Sequence, residues 1–303
     1  MQGAVNVTVV TYNRLECTKL CLESLLRQTR VPYVLNLIDN NSTDGTREYL
    51  CKLQNDERFS QVLGHVILLD DNYGISIAHN LGWSLSDTPY YIKIDNDIEF
   101  LDHDWLARMV AVADACPDVA MIGYGKNTSG ITYPYDGDET LYVHGHVGGC
   151  TLIRKDVHEK LGWWCEDYGL YGEEDTDFGL RARLAGYSNV TLYEEGNPFY
   201  QFTEMLDENI AEYKEFKDAE RYENLQRVYL LNDTLYKCGV RDLYVDRKFT
   251  SVFDDGKVRF KVSGPYLKQM AEWESKIGPI LPVIRESDDF RYINDKLGFN
   301  FFF

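Results

Sequence analysis

The sequence predicts an α/β fold: a mainly parallel sheet flanked by helices, followed by a mostly helical C-terminal extension. Two observations carry this. Through the first half, apolar runs of strand length alternate with stretches of helical period, an order that builds parallel strands joined by crossover helices on both faces. From about Asn197 the pattern changes to long, highly charged helical segments.

The first strand is "VNVTVVT" (Val5 to Thr11), followed by a helix from about Leu15 to Arg27. A second strand, "VLNLID" (Val34 to Asp39), leads into a helix over Thr43 to Leu53, with Ser42 or Thr43 as its expected cap. A third strand, "HVILLD", precedes the helical "GISIAHNLGWSLS", and a fourth, "YYIKID", ends at Asp95. After Leu101 come a helix to about Ala115, the short strand "VAMIGY", and a polar stretch from Gly123 to Tyr142. That stretch reads as a loop or edge hairpin able to cover a substrate. "VHGHVGGCTLIRK" reads as one strand, with a helix starting near Asp156. In the extension, "VRDLYVDRKFTSVFDDGKVRFKV" suggests a hairpin turning at Asp255-Gly256, and the apolar ending "LGFNFFF" is expected to dock on protein. The division expected is 1–200 and 201–303.

At 303 residues, with 44% hydrophobic and 26% charged residues, the chain can bury a substantial core. Its net charge of −18 argues against nucleic acid as a partner, since that affinity comes from neutralising phosphates. For an anionic nucleotide, the same acidity raises the value of a bound cation. The N-terminus lacks a basic region followed by an apolar one, and no apolar run nears the roughly 20 residues that span a bilayer. The seven cysteines show no metal-finger spacing, and the expectation is a reduced, cytoplasmic protein.

Ligands of open parallel sheets sit beyond the carboxyl ends of the strands, which groups Tyr12, Asn13, Asp39, Asn40, Asp95 and Asp97 at one rim. In "IDNDIE", Asp95 and Asp97 follow an apolar strand, where paired carboxylates can hold a hard cation that bridges a diphosphate. Asp39 can accept hydrogens from a nucleobase, while Asn13, Asn41 and Asp44 also suit turn stabilisation. In "DNYGISIAHNLGWS", Gly74 permits a tight turn before a helix N-terminus that favours anions; His79 and Asn80 are ambiguous, His79 reading first as a satisfied core residue. In "YGEEDTDFGLRARLAGY", Glu173, Glu174, Asp175 and Asp177 open a helix, where acids cap the dipole and one of them can also serve as a general base. Arg181 and Arg183 can pair with these acids or with phosphate. His144 and His146 alternate on the expected strand and would face the same way.

Taken together, "VTVVTYNR", "LIDNNSTDGT", "NYGISIAHNLGWS", "IDNDIEF" and "GGCTLIRKDVHEKLGWWCEDYGLYGEEDTDFGLRARLAGY" resemble the GT-A nucleotide-sugar glycosyltransferases, specifically the inverting family 2, over about residues 5 to 195. The resemblance implies a nucleotide-sugar-binding catalytic domain in residues 1–200. It implies transfer of a sugar from a nucleotide-diphosphate donor, a UDP-sugar foremost with GDP or dTDP as alternatives, to a hydroxyl of a glycan, protein or lipid-linked acceptor. Thr11, Tyr12, Arg14 and Asp39 would line the base pocket. Asp95 would touch ribose or metal, and Asp97 would be the main ligand of Mn²⁺ or Mg²⁺. The full donor-side set is Thr11, Tyr12, Asn13, Arg14, Asp39, Asn72, Gly74, Asn80, Asp95 and Asn96. Asp175 would be the base, with Glu174 the nearest rival. No histidine follows His158, so water, diphosphate, His144 or His146 would complete the metal shell. A homo-oligomer through the extension is a further expectation. A nucleotidyltransferase is disfavoured because "TYNRLE" lacks the glycines of its phosphate loop, and a non-catalytic nucleotide-sugar-binding module because Asp95, Asp97 and Asp175 are all retained.

Overall fold

The computed structural model describes residues 5–125, 129–137, 139–193, 199–206, 210–237, 239–254 and 257–277. In chain order the first half forms β1 (Val5–Thr11), α1 (Leu15–Gln28), β2 (Tyr33–Asp39), α2 (Thr46–Leu53), β3 (Leu63–Leu68), α3 (Ile75–Ser84), β4 (Tyr90–Asp95) and β5 (Ile98–Phe100). Then follow α4 (Trp105–Ala115), β6 (Val119–Tyr124), β7 (Thr132–Tyr133), β8 (Thr140–His144), β9 (Cys150–Arg154), α5 (Lys155–Leu161), α6 (Glu174–Leu184) and β10 (Ser188–Tyr193). The remainder comprises β11 (Tyr200–Phe202), α7 (Ile210–Glu223), a π-helical turn (Asn224–Tyr229), α8 (Leu230–Lys237), β12 (Phe249–Asp254), β13 (Lys257–Val262) and α9 (Gly264–Ile277).

The central sheet has nine strands in the order β3-β2-β1-β4-β9-β6-β10-β8-β7. β1 is buried along its whole length because parallel neighbours flank it and helices cover both faces, which is why its sequence is nearly continuous in valine and threonine. The parallel register sets Thr11 opposite Asp39 and Val10 opposite Asp95, so the carboxyl ends of β1, β2 and β4 lie level. Antiparallel β9 is inserted between β4 and β6; it starts beside that rim, with Cys150 opposite Ile94, and runs away from it to Arg154 opposite Tyr90. One apolar cluster, with Leu22, Leu25, Trp105 and Met109, covers one part of the sheet; another, around Trp83, Trp164 and Phe178, packs α3, α5 and α6. A third joins Cys165, Tyr168 and Leu180 to Val228, Leu231, Tyr236 and Tyr266 of the C-terminal segment.

Three details differ from expectation. α2 begins at Thr46, not Thr43, with Gly45 at its N-cap at φ 98°. The hydroxyl of Ser42 is drawn instead to Asp39, while Asp44 accepts from the N–H groups of both Leu15 and Thr46 and so serves the starts of two helices. β3 lies two residues earlier than "HVILLD", because its ladder with β2 pairs Leu35 with Leu63 and Asp39 with Leu68. "VHGHVGGCTLIRK" is two strands, β8 and β9, separated by a turn, so His144 ends a strand and His146 lies outside one; the shared-face argument for the pair does not apply. The stretch after Gly123 does supply an edge hairpin, β7 against β8. β12 and β13 pair antiparallel as expected, though the turn at 255–256 and the ending "LGFNFFF" lie outside the described residues. Among the described residues no helix is long and apolar enough to cross a membrane.

Candidate active site

A cavity opens at the carboxyl ends of β1, β2 and β4. Tyr12, Asn40 and Asn72 form one wall, and Asp95, Asn96 and Asp97 form the floor. The opposite wall comes from Tyr171, ahead of α6, and from Tyr213, Phe216 and Lys217 of α7. These last three follow the i, i+3, i+4 spacing of a single helical face.

The floor carries the strongest charge arrangement. Asp97 is buried, and its Oδ2 lies 2.8 Å from Arg14 Nη1; Arg14 in turn sits 4.6 Å from the centre of the Tyr213 ring. Arg14 and Asn13 both adopt left-handed backbone at φ 64° and 55°, the geometry that turns the chain from β1 into α1 over the rim. Asn96 donates to Thr18 Oγ1 at 2.8 Å and holds the β4 turn against α1. Asp95 Oδ1 and Asp97 Oδ1 are buried, and neither accepts a hydrogen bond from the described residues. Burial raises the Asp95 carboxyl above its ordinary range, with Lys93 opposing the shift. Buried Asp97, whose Oδ1 accepts no hydrogen bond from the described residues, and half-buried Asp95, whose Oδ1 lies 3.4 Å from Lys93 Nζ, suit a hard divalent cation that would complete its shell with water and a diphosphate. Among the described residues no group of three His, Cys, Asp or Glu could hold a metal ion.

The other candidate donor-side residues divide. Asp39 is fully buried, and both oxygens are committed: Thr11 Oγ1 donates to Oδ1 at 2.8 Å, and Arg47 Nη1 reaches Oδ2 at 3.0 Å. Thr11 and Asp39 therefore sit behind the cavity wall as its support. Asn13 Oδ1 accepts from Thr43 N–H, again a turn contact. Asn72 lines the cavity and accepts from Gly74 N–H. Gly74 has φ +88°, and a Cβ there would come within 2.1 Å of the Gly169 carbonyl oxygen, so glycine is required where α3 begins. Asn80 does not reach the cavity. It is buried, donates to Trp164 O and Glu166 Oε1, and accepts from Trp164 N–H, stapling α3 to the segment before α6. His79 is buried as expected, yet its ring nitrogens have no hydrogen-bond partner among the described residues. Burial first, and Lys93 second, lower its pKa and keep it neutral.

The four acids opening α6 are sorted by their partners. Glu173, in left-handed backbone at φ 70°, pairs with Arg221 Nε of α7 at 3.0 Å. Glu174 is buried 3.1 Å from Lys93 Nζ. Asp177 is fully buried, paired with Arg181 Nε at 2.7 Å and accepting from the hydroxyls of Tyr168 and Tyr236. Asp175 is only half-buried and has no ion-pair partner among the described residues. Its Oδ1 accepts from Thr176 N–H, and its Oδ2 lies over Gly148, where an added Cβ would approach to 2.6 Å.

Two contributors escape the sequence reading. Lys93 stands in a strand read as apolar, and the signal for it was its i, i+2 spacing to Asp95, which puts both on one face of β4. The α7 face of Tyr213, Phe216 and Lys217 was legible as a helical pattern, but nothing in the sequence brings it to the rim.

The glycosyl transferase family 2 model matches residues 6–162, more than half of the 303. An uncharacterised glycosyltransferase of Bacillus subtilis, YwdF, is 25% identical over 189 residues, 59% of this chain and 67% of that protein. An uncharacterised protein of Sinorhizobium fredii, y4gI, is 24% identical over 221 residues, 63% of this chain; the match spans only 24% of that longer protein. Among solved structures, a mannosyltransferase from Pyrobaculum calidifontis, PcManGT, in complex with GDP-Man and Mn²⁺ superposes with a TM-score of 0.51 at 18% identity, covering 64% of this chain and 57% of that one. That likeness is one of fold, and it agrees with the mostly parallel GT-A sheet described above. With the family model spanning β1 to α5 and the rim carboxylates inside it, the chain belongs to glycosyl transferase family 2.

Proposed function

We propose that the protein is a metal-dependent, inverting glycosyltransferase, moving a sugar from a nucleoside-diphosphate donor to an acceptor hydroxyl. The observation that carries this reading is the carboxylate pair Asp95 and Asp97 on the cavity floor, together with one half-buried carboxylate at the start of α6, Asp175, that has no ion-pair partner among the described residues. Asp95 and Asp97 would hold Mn²⁺ or Mg²⁺, which when bound offsets the charge of the departing diphosphate. The PcManGT complex, with its sugar nucleotide and Mn²⁺, supports that reading. Tyr12, Asn40 and Asn72 offer an aromatic face and amides to the nucleoside. Lys217, over the rings of Tyr171 and Tyr213 at 4.7 and 5.1 Å, is a cation placed for phosphate oxygens. Asp175 takes the proton of the acceptor hydroxyl as that oxygen bonds to the anomeric carbon and the bond to diphosphate breaks. Attack opposite the leaving group inverts the configuration. Five of the six described cysteines are buried and are not joined to one another by disulfides, which fits a cytoplasmic, reducing setting.

Thermal melting against UDP-, GDP- and dTDP-sugars, with Mn²⁺ and with chelator, tests the donor half. A nucleotide that raises Tm only with metal supports it; no shift with any of them in Mn²⁺ overturns it. The anomeric configuration of the product, read by NMR, decides inversion.

A further inference from the structure

Lys93 stands where the two acidic segments meet. Its side chain is 2% exposed, and its Nζ lies 3.4 Å from Asp95 Oδ1 and 3.1 Å from Glu174 Oε1. The Trp164 ring lies 5.7 Å away, so water is kept from this cation on that side. One ammonium therefore serves two carboxylates from different elements: one ends β4, the other opens α6. A buried cation that loses every counter-charge is strongly destabilising, whereas one that keeps a single partner is not.

Resting on the donor and base assignments above, we propose that Lys93 is a shared positioning residue that ties Asp95 to the first turn of α6 through Glu174. Donor binding is thereby coupled to the placement of Asp175. Glu174 is the anchor of the helix. A cation and nucleotide held by Asp95 would leave the Lys93 ammonium to Glu174, which would fix the turn carrying Asp175. When Glu174 is neutral, Lys93 gives its whole charge to Asp95 and competes with the metal for it.

The test has two arms. The first melts the ligand-free protein as wild type, Asp95→Asn, Glu174→Gln and the double variant. Each single variant leaves Lys93 one carboxylate in contact, and the double leaves only the more distant Asp175, so the double is expected to lose more Tm than the two singles together. Additive losses overturn the proposal. The second arm titrates UDP and GDP in Mn²⁺ by calorimetry. Glu174→Gln is expected to weaken nucleotide binding by about three- to tenfold in the wild-type background, and by less than about twofold in a Lys93→Met background. An equal effect in both backgrounds, or none in the wild type, overturns the coupling; a purely structural Lys93 would change Tm without this split. Lys93→Gln replaces Lys93→Met if the latter does not fold, and the melting arm needs neither. If wild type binds neither nucleotide, the donor reading fails while the melting arm still decides whether Lys93 is shared.

Discussion

On the floor of the cavity, side chains follow the ends of adjacent strands, which the register of β1 holds level, with Thr11 opposite Asp39 and Val10 opposite Asp95. On the α6 side they come from segments far apart in sequence: Tyr171 and Tyr213 line the cavity, and Asp175 lies over Gly148, with no shared ladder joining them. Polar contacts hold that side: Glu174 to Lys93, Glu173 to Arg221, and Arg14 over the Tyr213 ring. A strand end is fixed by its neighbours' hydrogen bonds, so one side-chain change leaves it in place. The α6 side depends on a few ion pairs and close approaches, so single changes there shift geometry before they threaten the fold.

That contrast can be broken most sharply at Asp175. Asp175→Asn is expected to cut transfer by about 10²- to 10⁴-fold, the range of a lost general base, while nucleotide binding in Mn²⁺ stays at the wild-type level. Normal turnover would instead shift the base to Glu174. Asp97→Asn is the mirror case: metal-dependent nucleotide affinity should fall by at least about tenfold, read by calorimetry, and Tm of the free protein should fall as well, because Asp97 is the buried ion-pair partner of Arg14. Gly148→Ala places a methyl against the Asp175 carboxylate, and a displaced base costs up to about 10²-fold in kcat. Donor KM should hold. Tyr213→Ala removes an aromatic partner of both Arg14 and Lys217, and should raise donor KM by roughly three- to tenfold with kcat preserved.

The smallest effect is on stability, away from the chemistry. Burial pushes the Glu166 carboxyl up to about 7, despite donors from Asn80 and Phe249 N–H and the charge of Arg247. The folded state then keeps a proton that the unfolded chain gives up near pH 4.5. Its contribution is full below that pH and is lost as pH rises toward 7. Wild type should melt a few degrees lower at pH 8 than at pH 5 relative to Glu166→Gln, a difference calorimetry resolves.

Much of the floor was legible in the sequence because strand ends announce themselves. "VNVTVVT", "VLNLID" and "YYIKID" each run into Asn- or Asp-bearing turns, and parallel topology gathers such ends at one rim. Side-chain commitments were not legible. Asp39 has the right position for a nucleobase, yet its neighbours Thr11, Ser42 and Arg47 take both oxygens. Asn80 lies in a recognisable motif but faces Trp164 and Glu166, since a helix turns residues only a few positions apart to different sides.

The sequence by itself determined the order of strands and helices, the rim on which Asp95 and Asp97 lie, and the presence of acids at the start of α6. Periodicity and turn chemistry are local, so a single chain displays them. Only the tertiary structure decided which of those acids is unpaired. Glu173, Glu174 and Asp177 meet Arg221, Lys93 and Arg181, partners at separations from four residues to more than eighty, and Asp175 is left facing Gly148. It also decided that α7 closes the far wall. Charge pairing and close approach depend on distance in space, which the spacing of residues along the chain does not encode.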